Sequence, residues 1–355
     1  MAALAACAPP APDRATVEPE NEQPAATNPP PAARDGEADV LLEQEAGSLA
    51  KSQVAGYRRM SDPLARLRAP DRPVNRENYA HLDDNPVHLV AEEPVSTFSI
   101  DVDTGSYANV RRMLRAGQLP PEDAVRVEEM INYFDYDYPA PEKGGAPFNV
   151  VTEQMPTPWN AKTRLLQIGI KGYQPPPDEI PPANLVFLID VSGSMQSKDK
   201  LPLLKSALKM LAKQLDANDR VAMVVYAGAT GVVLESTPGN LTAKITAALD
   251  SLTAGGRTNG AAGIELAYAQ AAQGYIEGGI NRVILATDGD FNVGTVDFEA
   301  LKDLAERKRG TGVSLTTLGF GTGNYNDRLM EQLADAGNGN YAYIDTLGEA
   351  RKVLV

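Results

Sequence analysis

Three short stretches gather side-chain oxygens at spacings that could serve a cation. Residues 190–194 read Asp-Val-Ser-Gly-Ser, which sets Asp190, Ser192 and Ser194 at alternate positions. Residues 255–260 read Gly-Gly-Arg-Thr-Asn-Gly and carry Thr258, and residues 287–290 read Thr-Asp-Gly-Asp and carry Asp288. Two of these stretches follow apolar runs, and the other precedes a helical pattern. Sulfur and imidazole are scarce: the chain has one cysteine, Cys7, and two histidines, His81 and His88. That inventory assembles neither an intrachain disulfide nor a Cys/His zinc cluster. A histidine-based triad would have to use His81 or His88, and neither stands in a nucleophile motif such as G-x-S-x-G.

The elements that must hold these oxygens follow from periodicity. Residues 185–189, Leu-Val-Phe-Leu-Ile, form a continuous apolar run. Such a run reads as a strand buried on both faces, in a parallel sheet covered by helices. The polar residues begin where that strand ends, and open α/β sheets bind ligands in the crevice at the carboxyl ends of their strands. Leu201, Leu204, Leu208, Leu211 and Leu215 step by three and four and predict a helix. A buried strand follows at 220–226 and a short one at 232–234. A helical stripe then runs through Leu241, Ile245, Leu249 and Leu252, and a further helix covers 260–275. Strands at 281–287, 313–320 and 340–344 alternate with helices at 298–307 and 327–334. This alternation predicts an α/β fold, a Rossmann-like, doubly wound and mainly parallel sheet with helices on both faces. A sheet of that kind brings all three loops to one edge. Lys205, Lys209 and Lys213 form a basic helical stripe, read as a solvated face.

Upstream, residues 96–102 read as a strand. Tyr107, Val110 and Leu114 fall at helical spacing ahead of a C-cap at Gly117. Val127, Met130, Ile131 and Phe134 predict a second amphipathic helix. Strands are expected at 148–154 and 164–171, with Trp159 between them as a packing residue, and the prolines at 175–177 and 181–182 mark a linker. The resulting division is a disordered Pro/Ala-rich tether over 1–38, a partly helical linker over 39–74, a small α+β region over 75–183 and the α/β region over 184–355. The length of 355 residues suits two or three domains, and 43% hydrophobic with 23% charged residues is ordinary for a globular chain. The net charge of −14 argues against nucleic acid or an anionic membrane surface as partner and is compatible with cation binding. No apolar run reaches the length of about 20 residues that spans a bilayer.

D-x-S-x-S after one hydrophobic strand, a Gly-rich loop with threonine, and T-D-G after a second hydrophobic strand occur here in that order. Together they resemble the metal-ion-dependent adhesion site of von Willebrand factor type A domains, over residues 184–355. Residues 95–139, and the stretch Thr-Asp-Gly-Asp-Phe-Asn-Val-Gly at 287–294, are similar to bacterial type A domain lipoproteins with a dedicated N-terminal region. The resemblance implies that Asp190, Ser192 and Ser194 are first-loop metal ligands, Thr258 the second-loop ligand, and Asp288 the third-loop acid, often bound through water. All are hard oxygens, which suit Mg²⁺, or alternatively Ca²⁺ or Mn²⁺, rather than zinc or copper. The implied function is divalent-cation-dependent binding of a protein ligand offering an acidic side chain, without catalysis. Arg257 departs from the small residue usual beside that threonine and is read as a solvated side chain; Asp290 is read as organising the third loop.

Leu4-Ala5-Ala6-Cys7, just before the tether, resembles a lipobox. With the family resemblance it implies a lipid anchor at Cys7, the only membrane attachment expected, and a location in the bacterial cell envelope. The upstream segment is too short for a signal peptide, so a truncated or misassigned start is the expectation. Three other readings compete. The metal site could only hold loops together. Ser192 and Ser194 could cap a helix while Asp288-Gly289 makes a plain turn. Residues 98–106, Phe-Ser-Ile-Asp-Val-Asp-Thr-Gly-Ser, also resemble the D-x-D-x-T motif of haloacid-dehalogenase-type phosphatases, with Asp101 and Asp103 as the acids. There Thr104 stands one residue early, and a strand running into a helix N-cap fits better. Partner, cation, membrane leaflet and oligomeric state are left open by the sequence.

Overall fold

The computed structural model describes residues 76–81, 83, 85–97, 100, 102–256, 260–289 and 298–355. All described residues belong to one compact unit. Cys7, the tether, the linker over 39–74, Asp101, Arg257, Thr258 and Asp290 therefore lie outside the described residues.

The described chain opens with two helices, α1 (Gly105–Arg115) and α2 (Val127–Asn132), and a hairpin of β1 (Phe148–Thr157) and β2 (Asn160–Gly172). It continues through β3 (Ala183–Asp190), α3 (Leu201–Leu211), β4 (Arg220–Tyr226), β5 (Thr230–Pro238), α4 (Thr242–Ser251) and α5 (Ala261–Gln273). Next come β6 (Ile280–Thr287), α6 (Phe298–Arg309), β7 (Val313–Phe320), α7 (Asp327–Ala336), β8 (Tyr341–Ile344) and α8 (Leu347–Leu354).

Six strands form one sheet in the order β5-β4-β3-β6-β7-β8, and only the β4–β5 pair is antiparallel. The expected mainly parallel sheet is thus present, with β5 extending well beyond the three residues expected of it. β3 is central because its side chains satisfy both faces at once. Phe187 and Ile189 pack with Leu204 and Leu208 of α3, Ile245 of α4 and Ala350 of α8. Val186 and Leu188 pack with Ile264 of α5, Leu301 of α6 and Leu333 of α7 on the other face. Alternation of side chains across a strand makes this two-sided burial possible. Each such fully buried aliphatic or aromatic side chain stabilises by about 1.5–3 kcal/mol relative to exposure. The chain leaves β3 toward β4 on one side, while β6 pairs with β3 on the other, so the carboxyl ends of β3 and β6 flank the reversal where open sheets bind ligands.

The region before β3 packs against the β8 side of this sheet. Ala108 of α1 enters a cluster with Tyr325, Met330, Ala334, Tyr341 and Tyr343. Gly105 starts α1 because a β carbon there would stand 2.4 Å from the Tyr341 ring. The backbone of Arg76 and Asn78 hydrogen-bonds Gly323 and Tyr325 (2.8 and 2.9 Å), and Arg111 pairs with Asp345 and Glu349.

Four expectations are corrected here. Among the described members of 96–102 none lies in a strand, and Ile100 and Val102 are exposed. The apolar stripe of α2 does not face a core: Val127 and Ile131 are exposed and Glu129 is the buried residue. The physical reason is polar: Glu129 accepts a hydrogen bond from Ser106 N (2.8 Å) and lies 3.5 Å from Arg126. Trp159, expected to pack, is 76% exposed at the hairpin tip. The hairpin itself carries its apolar residues Phe148, Val150, Leu166 and Ile168 on one exposed face, while Tyr138 covers Gly169 on the other. The basic stripe is only partly solvated, since Lys205 donates to the carbonyls of Asp250 and Leu252 (both 3.0 Å) and Lys209 pairs with the Asp250 carboxylate (2.5 Å). Cations at the C-terminus of α4 suit the helix dipole.

Candidate functional site

β3 ends on Asp190, whose side chain is fully buried and doubly held. Its Oδ1 accepts from Ser192 N (2.8 Å) and its Oδ2 from the Thr287 hydroxyl (2.9 Å). Thr287 is the last residue of β6, so one carboxylate ties together the ends of the two strands at the reversal. Burial pushes the Asp190 carboxyl up to about 6, the negative charge of Asp288 adds to the rise, and the bonds from Ser192 and Thr287 oppose it. A buried carboxylate in that state calls for a positive partner.

The hydroxyls of Ser192 and Ser194 stand 3.0 Å apart. Neither caps a helix: Ser192 makes no capping bond at the 3₁₀ turn after it, and the N-cap residue of α3 is Lys200. Two adjacent ligands on an octahedral cation with bonds of about 2.0–2.1 Å stand roughly 2.9 Å apart. The pair therefore has the spacing of one edge of such a coordination shell. Ser192 is buried and Ser194 is exposed, so the two hydroxyls lead from the interior to the surface.

Among the described residues, the second loop docks onto the first through backbone hydrogen bonds. Gly255 N donates to Val191 O (2.7 Å), and Gly193 N donates to Gly256 O (3.2 Å). Gly256 adopts a φ of +89°, the left-handed region that glycine tolerates. This brings the glycines preceding Thr258 against the loop of Asp190, Ser192 and Ser194. Thr258 itself is not described.

In the third loop Asp288 is fully buried, and Gly289 turns at a φ of +84° with its N–H on the Thr287 hydroxyl (3.2 Å). A β carbon at Gly289 would stand 2.3 Å from Asn326 N. Gly289→Ala combines this clash with a left-handed conformation that costs an L-residue about 1–2 kcal/mol. Its expected effect is a loss of at least about 2 kcal/mol, read as a lower urea midpoint at unchanged slope.

Two residues that the sequence did not flag complete the surroundings. Lys200 is buried and donates to Asp288 Oδ2 (2.8 Å) and Asn324 Oδ1 (3.1 Å). Tyr226 is the register partner of Asp190 on β4, and burial, reinforced by the Asp190 charge, pushes its hydroxyl well above the usual tyrosine range. Tyr226 closes an apolar run and Lys200 stands in a polar stretch, so neither carries a local signal. Among the described residues no group of three His, Cys, Asp or Glu side chains is placed to hold a metal. Any cation held here would depend on hydroxyls as well as carboxylates. Asp103, the second acid of the phosphatase-like stretch, is buried and accepts the Tyr341 N–H (3.0 Å) at the start of β8, which gives it a structural task.

A helix-flanked, mostly parallel sheet with D-x-S-x-S and T-D-G loops at the ends of two adjacent central strands defines a class of domain. Residues 184–353 match the von Willebrand factor type A domain, and residues 73–167 match the family described as von Willebrand factor. The chain belongs to the von Willebrand factor type A domain proteins. It is 48% identical over 326 residues to the uncharacterised protein YfbK of Escherichia coli K12, covering 89% of this chain and 57% of that protein. It is 30% identical over 187 residues to the uncharacterised protein sll0103 of Synechocystis, covering 53% of this chain and 43% of that one. The chain thus spans about half the length of these curated relatives. Among solved structures, a von Willebrand factor type A protein from Catenulispora acidiphila is 20% identical, covers 54% of this chain and 43% of that one, and gives a TM-score of 0.42. Type A domains are in general interaction modules rather than enzymes.

Proposed function

We propose that this protein binds a protein ligand reversibly through a divalent cation, Mg²⁺ in the first instance, held at the carboxyl ends of β3 and β6. Asp190, Ser192 and Ser194 supply the first-loop oxygens, Thr258 the second-loop oxygen, and Asp288 acts through water. The observation that carries this reading is the first loop: a buried carboxylate beside two hydroxyls 3.0 Å apart that cap no helix. The cation, when bound, supplies an electrophilic position for a carboxylate of the partner. The chain's own residues orient the donors and keep one side of the site out of water. Envelope location and a lipid anchor at Cys7 complete the proposal. Their support is the lipobox-like quartet and the family to which the chain belongs, and no described helix is long and apolar enough to cross a membrane.

The test is capture of envelope proteins in Mg²⁺ and in EDTA, run beside a thermal melt in the same buffers. Capture should require Mg²⁺ and return when it is restored. Stabilisation by Mg²⁺ together with capture that persists in EDTA would reassign the cation to holding the loops.

A further inference from the structure

Lysine is seldom fully buried unless it is paired. Lys200 is 6% exposed, and its stem runs over Gly321, where a β carbon would stand 2.2 Å from Lys200 Cε. Gly321 has a φ of +78°, and its carbonyl is held by the Tyr343 hydroxyl (2.5 Å). The loop after β7 is therefore shaped to pass a lysine stem. The ammonium arrives at Asp288 Oδ2 (2.8 Å) with Asn324 Oδ1 (3.1 Å) as its second acceptor.

We propose that Lys200 is a specificity-determining residue: a built-in counter-cation that leaves a bound divalent cation short of negative charge and so selects a carboxylate ligand. This rests on the metal-binding reading above. The charge balance makes the case. A divalent cation brings two positive charges, Asp190 and Asp288 offer two negative ones, and Lys200 returns one positive. The hydroxyl donors are neutral. With lysine present the filled site keeps a net positive charge, which a neutral carbonyl or a water leaves in place and an external carboxylate removes. Without lysine the charges of the described site residues and the cation would balance by themselves. The same repulsion weakens the cation's intrinsic affinity, so cation and acidic ligand bind best together. Lys200 touches no ligand in this scheme; it acts through Asp288.

The test uses the chain as it stands, Mn²⁺ as the probe cation and acetate as the carboxylate, followed by titration calorimetry. Wild type should bind Mn²⁺ more tightly in acetate than in chloride. Lys200→Gln, which keeps a donor near Asp288, should bind Mn²⁺ roughly ten- to a hundredfold more tightly in chloride, as expected from removing a like charge a few ångströms away. Its response to acetate should largely vanish. Asn324→Asp leaves Lys200 in place and neutralises it, and should shift both readouts in the same direction. A role confined to tying down the loop after β7 would alter the melting temperature and neither binding readout. Wild-type binding with unchanged or weaker Mn²⁺ affinity in both variants would overturn the inference and leave the metal site standing. Absence of binding in all three proteins would remove the metal reading and the inference with it. Binding by the variants alone would support Lys200 as the resident cation.

Discussion

Asp190→Ala is expected to lower Mg²⁺ affinity by more than about a hundredfold, equivalent to roughly 2.8 kcal/mol at 1.4 kcal/mol per tenfold. Asp190 is the buried carboxylate of the first loop, while Asp288 already shares its charge with Lys200. Ser192 and Ser194 are neutral and cannot replace it. The metal-free fold should tolerate the change. The alanine gives up the bonds from Ser192 N and Thr287, and it also removes a carboxyl whose ionised form is costly to bury. Its melting temperature in EDTA should therefore lie within a few degrees of wild type, at about 2–4 °C per kcal/mol. Ser194→Ala, at the exposed edge, should cost about tenfold. Calorimetry with Mg²⁺ on both variants decides the matter, and an unchanged affinity in Asp190→Ala would move the site elsewhere.

The second large effect concerns stability and lies where α2 meets α7. Arg126 is 5% exposed and is shared among three acids: it pairs with Glu331, lies 3.5 Å from Glu129 and lies 3.8 Å from Asp327. One guanidinium cannot neutralise three carboxylates. Burial pushes Glu129 up to about 8, helped by the charges of Asp327 and Asp103 and opposed by the Ser106 N–H and Arg126. Burial likewise pushes Asp327 up to about 6. Removing Arg126 leaves buried charge uncompensated, which typically costs about 3–5 kcal/mol. Arg126→Met should accordingly lower the melting temperature at pH 7.5 by roughly 6–20 °C.

The pH dependence follows from the raised values. A carboxyl whose folded pKa is raised contributes stability that is fully present below its unfolded value, 4.5 for Glu129, and is lost as the pH rises through about 8. Asp327 adds the same trend between 3.8 and about 6. Glu129→Gln mimics the protonated form and can still accept from Ser106. It should melt above wild type at pH 9 and converge on it at pH 5. The damage in Arg126→Met should shrink over the same interval, because the carboxyls it exposes take up protons. A pH-independent gap between Glu129→Gln and wild type would show that Glu129 does not titrate in the folded state.

These residues show where local pattern stops being informative. The strands and helices of the α/β region are legible because their burial depends on period alone. Val186 and Leu188 face one helical layer while Phe187 and Ile189 face the other, and only an unbroken apolar run satisfies both. The small helices before it are less legible. α2 offers an apolar stripe but buries Glu129, because Ser106, 23 positions away, donates to it and Arg126, itself paired with Glu331 of α7, lies beside it. The strand expected at 96–102 has the right residue types but no pairing partner among the described residues.

The same division runs through the candidate site. Asp190, Ser192, Ser194 and Asp288 could be picked out as candidates from the sequence, because they follow apolar runs and the order of their loops resembles that of type A domains. The pairing of Asp190 with Thr287, the docking of Gly255 and Gly256 onto the first loop, and Lys200 reaching Asp288 past Gly321 could not. The Asp190–Thr287 pair alone joins residues 97 positions apart in the chain. Sequence period sets which elements form and which side they bury, since that depends on neighbours a few residues away. Which charges then face one another depends on strand order and loop packing, and only the assembled sheet settles it.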